Sequence, residues 1–234
     1  MMSMEDLEKF DSEIEKCINS LAGKFRRYPD NFFTESDAHS FLYYYIFRSG
    51  HKLLKLPYPT RDSHTSTVLI HKEYPTIFRY RKDSMTLDEK GGRGHYDLVV
   101  LNPCFMAGHS ISEVIAKNFK ECCTDERDHL LAAIEFKLIV NPLGNGFKAA
   151  IKKDFQKLTL AIDKGQSRSA YMIIFNRARP EPKFPNNLVE TARQNPNVKG
   201  LYLESIASPR GHYGIYLNEW NHKLRFTQSG SCKR

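Results

Sequence analysis

Residues 130–140 read LLAAIEFKLIV, an apolar run that contains a glutamate and a lysine two positions apart. The length of the run and the NPLGNG turn signal that follows favour a β-strand over a buried helix. Side chains alternate along a strand, so Glu135 and Lys137 point to one face of the sheet and Phe136 to the other. Because an unpaired buried charge is costly, the two charged residues either form an ion pair at a sheet edge or belong to a functional site.

A second acid stands against another apolar strand. The segment HYDLVVLNP, residues 95–103, places Asp97 near the start of a short strand that Pro103 ends. If the two strands are neighbours, the Asp97 and Glu135 carboxylates come close together and repel each other unless a divalent cation lies between them. Oxygen ligands suit magnesium or manganese. A nearby lysine such as Lys137 can orient or deprotonate a water, or stabilise charge that develops on a phosphate.

Composition and charge restrict the class of protein. The chain has 234 residues with 41% hydrophobic and 12% aromatic content, which is typical of a globular protein. Its formal net charge of +8 and its pI near 9.2 favour an anionic partner, with nucleic acid first. No apolar segment reaches the roughly 18 residues of a membrane span, and MMSMEDLEKFDSEIEK lacks the layout of a signal peptide. With five cysteines and no CxxC, free thiols and a cytoplasmic location are expected.

The order of predicted elements is typical of a three-layer α/β domain. Apolar periodicity, caps and turn residues define the elements. In the first half of the chain we expect a helix over 4–22 ended by Gly23, a helix from the N-cap Thr34 to Gly50, a loop over 51–65, a β-rich segment over 66–82 interrupted at Pro75, and a strand over 95–103. An insertion over 104–129 with a short helix follows, and then the strand 130–140. In the remainder we expect a helix over 146–165, a strand over 170–176, a helix over 185–194, a strand over 198–206 and a strand pair over 212–226.

In this order, HYDLVVLNP, AAIEFKLIV and the basic helix after them resemble the PD-(D/E)xK nuclease superfamily. The resemblance covers residues 30–176 and implies the restriction-endonuclease-like fold, a three-layer αβα core with a central mixed β-sheet flanked by helices. An N-terminal helix and the insertion around 104–129 would be added to that core. Two features depart from the family pattern: Tyr96 stands where many members have proline, and the gap between Asp97 and Glu135 is long.

By position, the resemblance implies Asp97, Glu135, Lys137 and Glu35 as catalytic residues. It further implies that Asp97, Glu135 and Glu35 hold Mg²⁺ or Mn²⁺, with Lys137 assisting the attacking water. Glu35 matches a glutamate that many members carry on the first helix, where its charge would also favour the helix N-terminus. On those residues the sequence predicts a metal-dependent hydrolase of phosphodiester bonds.

Three further residues are candidates for contacts to nucleic acid: Lys153, Lys157 and His95. The two lysines match a loosely recurring basic pattern on the helix after the motif strand, and a solvated helix face with i,i+4 ion pairs is the alternative. His95 is two residues before Asp97, and an exposed histidine at a strand end is the alternative. Glu73 in HKEYPT is a candidate supporting acid, for which a salt bridge to a neighbouring lysine or arginine is the preferred interpretation.

The expected function is that of a nuclease whose substrate is DNA in preference to RNA, with no membrane partner. A homodimer is compatible with the resemblance, since many nucleases of this fold pair to cut two strands. Two alternatives remain: a binding or structural protein that keeps the fold without turnover, and an unrelated α/β enzyme in which Glu135 and Lys137 form only an ion pair. One domain is expected over 1–234, with a helical extension (1–29), a core (30–176), a sheet and helix elaboration (177–228) and a loose tail (229–234).

Overall fold

A computed structural model describes residues 4–51, 54, 57–62, 64–81, 86–88, 90–115, 129–141, 145–178, 184–205 and 214–216. The helices are α1 (Met4–Arg27), α2 (Glu35–Arg48), α3 (Pro103–Gly108), α4 (Ile111–Ile115), α5 (Asn145–Asp163) and α6 (Phe184–Arg193), with a 3-10 turn at Pro29–Asn31. The strands are β1 (Tyr58–Pro59), β2 (Ser66–Thr67), β3 (Ile70–Tyr80), β4 (Gly92–Leu101), β5 (Leu130–Ile139), β6 (Ser167–Asn176), β7 (Val198–Glu204) and β8 (Gly214–Tyr216).

A mixed six-stranded sheet in the order β3-β4-β5-β6-β7-β8 forms the centre of the fold, and β1 and β2 pair separately. β3, β4 and β5 are antiparallel to one another, whereas β5, β6 and β7 are parallel, and β8 is antiparallel to β7. A parallel pair needs a long crossover connection, and α5 supplies it between β5 and β6. The prediction of an α/β fold with a central mixed sheet flanked by helices is confirmed.

Strand β5 confirms the prediction made from LLAAIEFKLIV. Every residue from Leu130 to Phe136 is buried, so both faces of the strand are covered. The Phe136 ring packs on His39 of α2 with ring centroids 4.9 Å apart, whereas Glu135 pairs with Lys157 of α5. Because consecutive strand residues face opposite ways, α2 and α5 lie on opposite faces of the sheet, an arrangement compatible with three layers.

The helix predictions are confirmed apart from one boundary. In α2, the N-cap position is Thr34, whose backbone N–H donates to Asp37 Oδ2 at 2.8 Å, as in a capping box. Helix α1 does not end at Gly23 but continues to Arg27. The reason is that Phe25 extends the buried apolar stripe by one more turn and is fully buried, which outweighs the roughly 1 kcal/mol that a glycine costs inside a helix.

Five segments differ from the sequence prediction or fall partly or wholly outside the described residues. Strand β3 continues through Pro75, because β3 is an edge strand with no partner strand on one side among the described residues. The expected loop over 51–65 contains β1, and the expected insertion over 104–129 contains α3 and α4. Residues 116–128 of that insertion, residues 217–226 of the expected final strand pair and the tail lie outside the described residues.

One continuous hydrophobic cluster joins the helices to the sheet. Helix α1 contributes Phe10, Ile14 and Phe25 to it, so the N-terminal helix packs into the same core as the strands. Phe175 of β6 lies at the centre of an aromatic group, with ring centroids 4.7 Å from Phe25 and 5.3 Å from Phe32. None of the described helices has the length and apolar character needed to cross a bilayer.

Replacing Phe175 with alanine tests this packing. The side chain is fully buried, so Phe175→Ala should lower the free energy of unfolding by about 3–5 kcal/mol through lost burial and the cavity left behind. The matched control is Phe47→Ala, whose ring is 42% exposed and whose loss should cost less than about 1 kcal/mol. Urea denaturation of both variants measures the difference, and equal losses would contradict the described core.

Candidate functional site

The candidate site lies where β4 and β5 stop pairing. Their ladder runs from Leu101 to Leu98 on β4, with Leu98 opposite Ile134 on β5. At the next position along β4, the Asp97 side chain replaces the backbone as the partner of β5. Its Oδ2 accepts a hydrogen bond of 2.7 Å from the Phe136 backbone N–H. The carboxylate therefore lies between the two strands and is fixed to the backbone of β5 beside Glu135.

Strand β3 is distorted at the same level. Lys72 and Tyr74 pair with Leu98 and Tyr96, and between them Glu73 has a positive φ of 52°. A glutamate in the left-handed region is strained by about 1–3 kcal/mol, and such residues cluster at functional sites. The conformation breaks the regular alternation of β3 at the position that faces Asp97 across the ladder.

His39, Glu73 and Asp97 form a compact group. Each offers a nitrogen or oxygen ligand atom, and these atoms all lie within 4.8 Å of one another. His39 Nε2 is buried and lies 3.6 Å from Asp97 Oδ2, and no hydrogen-bond partner for it lies in the described part of the chain. Burial alone would raise the pKa of Asp97, but the His39 imidazole and the Phe136 N–H hold it below its ordinary value. Within the described ranges, no other three such side chains meet that distance.

Glu135 and Lys157 form a buried ion pair on the opposite face of the sheet. Glu135 is 2% exposed and Lys157 is 6% exposed. Lys157 Nζ lies 2.6 Å from Glu135 Oε1 and donates a hydrogen bond of 2.8 Å to the His95 backbone carbonyl. Burial raises the pKa of the Glu135 carboxyl well above its ordinary value, and the Asp97 charge raises it further against the opposing effect of Lys157.

Lys137 connects the two faces. Its ammonium group lies 3.0 Å from Asp154 Oδ2 of α5 and 3.4 Å from Glu35 Oε2 of α2. Burial opposes the charged form of Lys137, but Asp154 and Glu35 outweigh that cost and raise its pKa. Asp154 Oδ1 also lies 3.3 Å from Lys157 Nζ, so this carboxylate is shared between the two lysines.

Glu35 is held at the start of α2 by two contacts to β5. Besides the contact to Lys137, its Oε1 accepts a hydrogen bond of 3.3 Å from the Leu138 backbone N–H. The side chain is 37% exposed. Glu35 therefore ties the N-terminus of α2 to the motif strand, in addition to placing a negative charge at the helix N-terminus.

The four residues implied as catalytic are connected by contacts. Asp97 is bonded to the β5 backbone beside Glu135, and Lys137 contacts Glu35 directly and is linked to Glu135 through Asp154 and Lys157. The three residues implied as metal ligands are not one compact group, however. Asp97 belongs to the group with His39 and Glu73, while Glu135 and Glu35 are each paired with a lysine.

The candidate contacts to nucleic acid are placed differently from one another. His95 is exposed at the strand and Lys153 is half-buried on α5. Lys157 is buried in the ion-pair network, so it neither lies on a solvated helix face nor presents its charge at the surface, as a contact to nucleic acid would require. Sequence reasoning placed Asp154 only in the basic pattern of its helix, together with Lys153 and Lys157, and gave no role to His39. His39 is four residues, about one helical turn, after Glu35 on α2. This spacing places both side chains on the same face of the helix and is the sequence signal that could have made His39 a candidate site residue.

Comparisons with protein-family models, with curated proteins and with solved structures found no match for this chain.

Removing the Lys157 charge tests the buried network. In Lys157→Met the Glu135 carboxylate loses its closest cation in a buried position, which should cost about 3–5 kcal/mol of unfolding free energy. The double variant Lys157→Met, Glu135→Gln should recover a substantial part of that loss, because no unpaired carboxylate remains. The control is Lys152→Met on the exposed face of α5, with an expected change below about 0.5 kcal/mol. A single variant as stable as its control would contradict the ion pair.

Proposed function

We propose that this protein is a metal-dependent nuclease with a restriction-endonuclease-like core, hydrolysing phosphodiester bonds in DNA in preference to RNA. The observation that carries the proposal is the convergence of Asp97 on β4 with Glu135 and Lys137 on β5, beside Glu35 on α2. The order of a helix, three antiparallel strands, a crossover helix and a parallel strand supports the same assignment.

The chain supplies the parts that phosphodiester hydrolysis needs. Asp97 is fixed by the Phe136 N–H, and its lowered pKa keeps it ionised and able to hold a cation. Lys137 stays protonated between Asp154 and Glu35, so its charge can stabilise the negative charge that develops on the phosphate. A bound Mg²⁺ or Mn²⁺ would supply Lewis acidity and lower the pKa of a bound water. The donor set fits a divalent ion, since two carboxylates and a buried imidazole nitrogen lie close together.

An aromatic ring at the rim of the site supports nucleic acid as the substrate. Phe33 precedes α2 by two residues and is 72% exposed. The Arg177 guanidinium carbon lies 5.8 Å from the centroid of the Phe33 ring. Arg177 is itself fixed by hydrogen bonds to the Phe32 carbonyl and to Asp30. An exposed aromatic ring beside a cation is a platform on which bases stack, and the net charge of +8 favours a polyanion.

Cleavage assays with Mg²⁺ or Mn²⁺ test the activity directly. Wild type should cleave DNA, and Asp97→Ala and Lys137→Ala should each lose at least about 100-fold in rate, as expected when a charge aimed at the transition state is removed. Lys164→Ala, an exposed lysine at the end of α5, is the control and should retain the wild-type rate. Cleavage that survives both site variants, or none by wild type with either ion, would refute the assignment. Binding without cleavage would instead favour the inactive nucleic-acid-binding alternative.

Replacing Phe33 with alanine tests the rim. Base stacking is worth about 1–3 kcal/mol per base, so Phe33→Ala should weaken the affinity for a DNA oligonucleotide by roughly five-fold or more. Fluorescence anisotropy in the Asp97→Ala background measures binding without turnover. The matched control is Tyr44→Ala, whose exposed ring also lies 5.8 Å from an arginine, Arg48, further along α2. Equal effects of the two substitutions would exclude a specific role for Phe33.

A further inference from the structure

We propose that the divalent ion of this protein is held by His39, Glu73 and Asp97, and that it is a transition-series ion, for which Mn²⁺ is the probe, in preference to Mg²⁺. This ligand set shares only Asp97 with the one that the sequence implies. The inference deepens the proposed nuclease function, but it concerns metal binding and stands or falls without cleavage.

The spacing of the three side chains suits one ion. Their ligand atoms lie within 4.8 Å of one another. Ligands about 2.1 Å from an ion can lie up to roughly 4.2 Å apart on opposite sides of it. The most widely separated ligand atoms therefore need to approach each other by about 0.6 Å, a shift within the reach of side-chain rotation.

His39 supplies the observation that points to a ligand. The residue is 6% exposed, and its Nε2 atom has no hydrogen-bond partner among the residues that the structure describes. Leaving a buried ring nitrogen unpaired costs free energy. Nε2 lies 3.6 Å from Asp97 Oδ2, and the imidazole ring packs against Phe136 with centroids 4.9 Å apart. The nitrogen is thus held in a fixed direction, toward the carboxylate, where an ion would give it a partner.

Glu73 is the third member of the group, and its unusual backbone conformation occurs at the position opposite Asp97. The left-handed φ of 52° is unfavourable for a glutamate, yet it occurs at the position of β3 that faces Asp97. Glu73 is exposed on an edge strand, so the group is open to solvent on that side and an ion can enter. A carboxylate placed there faces Asp97 across the ladder, and two such carboxylates favour a cation between them.

Glu135 and Glu35, the other two metal ligands that the sequence implies, are each already paired with a lysine. Lys157 Nζ lies 2.6 Å from Glu135 Oε1, and Lys137 Nζ lies 3.4 Å from Glu35 Oε2. Each would have to leave a lysine before binding an ion, whereas the nearest partner of His39 Nε2 among the described residues is Asp97 Oδ2, another member of the group, at 3.6 Å.

The donor types decide between classes of ion. Mg²⁺ takes oxygen ligands almost exclusively, while imidazole nitrogen suits the transition-series ions. One imidazole and two carboxylates form a mixed donor set, and affinity for nitrogen-containing sites rises from Mn²⁺ along the first transition series. Replacing the imidazole should therefore remove the preference as well as weaken binding.

Isothermal titration calorimetry of the full chain with Mn²⁺ and with Mg²⁺, in the absence of nucleic acid, tests the inference. Wild type should bind Mn²⁺ at least about ten-fold more tightly than Mg²⁺. His39→Ala and Glu73→Gln should each weaken Mn²⁺ binding by at least about ten-fold, the range known for groups that support metal sites. Glu35→Gln is the matched control from the set implied by the sequence, and it should change Mn²⁺ affinity by less than about three-fold.

Three results would overturn the inference: unchanged Mn²⁺ affinity in His39→Ala or Glu73→Gln, an equal loss in Glu35→Gln, or no preference of wild type for Mn²⁺. Circular dichroism checks that each variant is folded, and His39→Asn, which keeps a polar side chain, replaces His39→Ala if that variant is unfolded. Mn²⁺ binding by these residues without cleavage would refute the nuclease and leave this site standing. Cleavage by wild type, with unaltered Mn²⁺ binding in the His39 and Glu73 variants, would refute this metal site and leave the nuclease function standing.

Discussion

The burial of Glu135 in the middle of a sheet strand is the constraint on which the rest of the site depends. A carboxylate removed from water needs a cation or a proton, and Lys157 of α5 provides the cation at 2.6 Å. That lysine is buried too, and Asp154 helps to neutralise it. Asp154 also holds Lys137, which in turn contacts Glu35 at the start of α2. One buried charge thus ties two helices on opposite faces to the same strand.

This network explains why the sheet opens where it does. Strand β4 no longer pairs with β5 beyond Leu98, and the Asp97 carboxylate binds the β5 backbone instead. At the same level, the edge strand β3 is distorted, because Glu73 adopts a left-handed backbone conformation opposite Asp97. The carboxylates of Glu73 and Asp97 therefore lie at a position open to solvent, beside the buried charges of the ion-pair network. Such a position is favourable for a divalent ion that binds next to a phosphate. Buried ion pairs contribute little net stability, and in this network they fix the positions of Glu135, Lys137 and Glu35.

Much of this arrangement could be predicted from the sequence, because it follows from alternation and order. The period of LLAAIEFKLIV predicted that Glu135 and Lys137 share a face, and both contact α5 in the structure. The capping residues Thr34 and Asp37 identified the start of α2, which positions Glu35. These signals are local, and local signals are read directly from residue types.

The features that could not be predicted depend on tertiary contacts. Nothing in HKEYPT shows that Glu73 adopts a positive φ, since that strain is maintained by the surrounding sheet. The burial of Lys157 depends on Glu135 lying beneath it, and its helix alone resembles a solvated basic face. For the same reason Gly23 appeared to end α1, although the packing of Phe25 carries the helix further.

The most direct measurement is a crystal structure of the protein grown with Mn²⁺, with anomalous diffraction recorded to locate the ion. The account predicts a single strong anomalous peak within about 2.0–2.4 Å of an Asp97 carboxylate oxygen and His39 Nε2, with Glu73 as a further ligand and Lys157 still paired with Glu135. A peak held by Glu135 and Glu35 without His39 would contradict the ligand set. The absence of any peak at Asp97 would contradict the metal site as a whole.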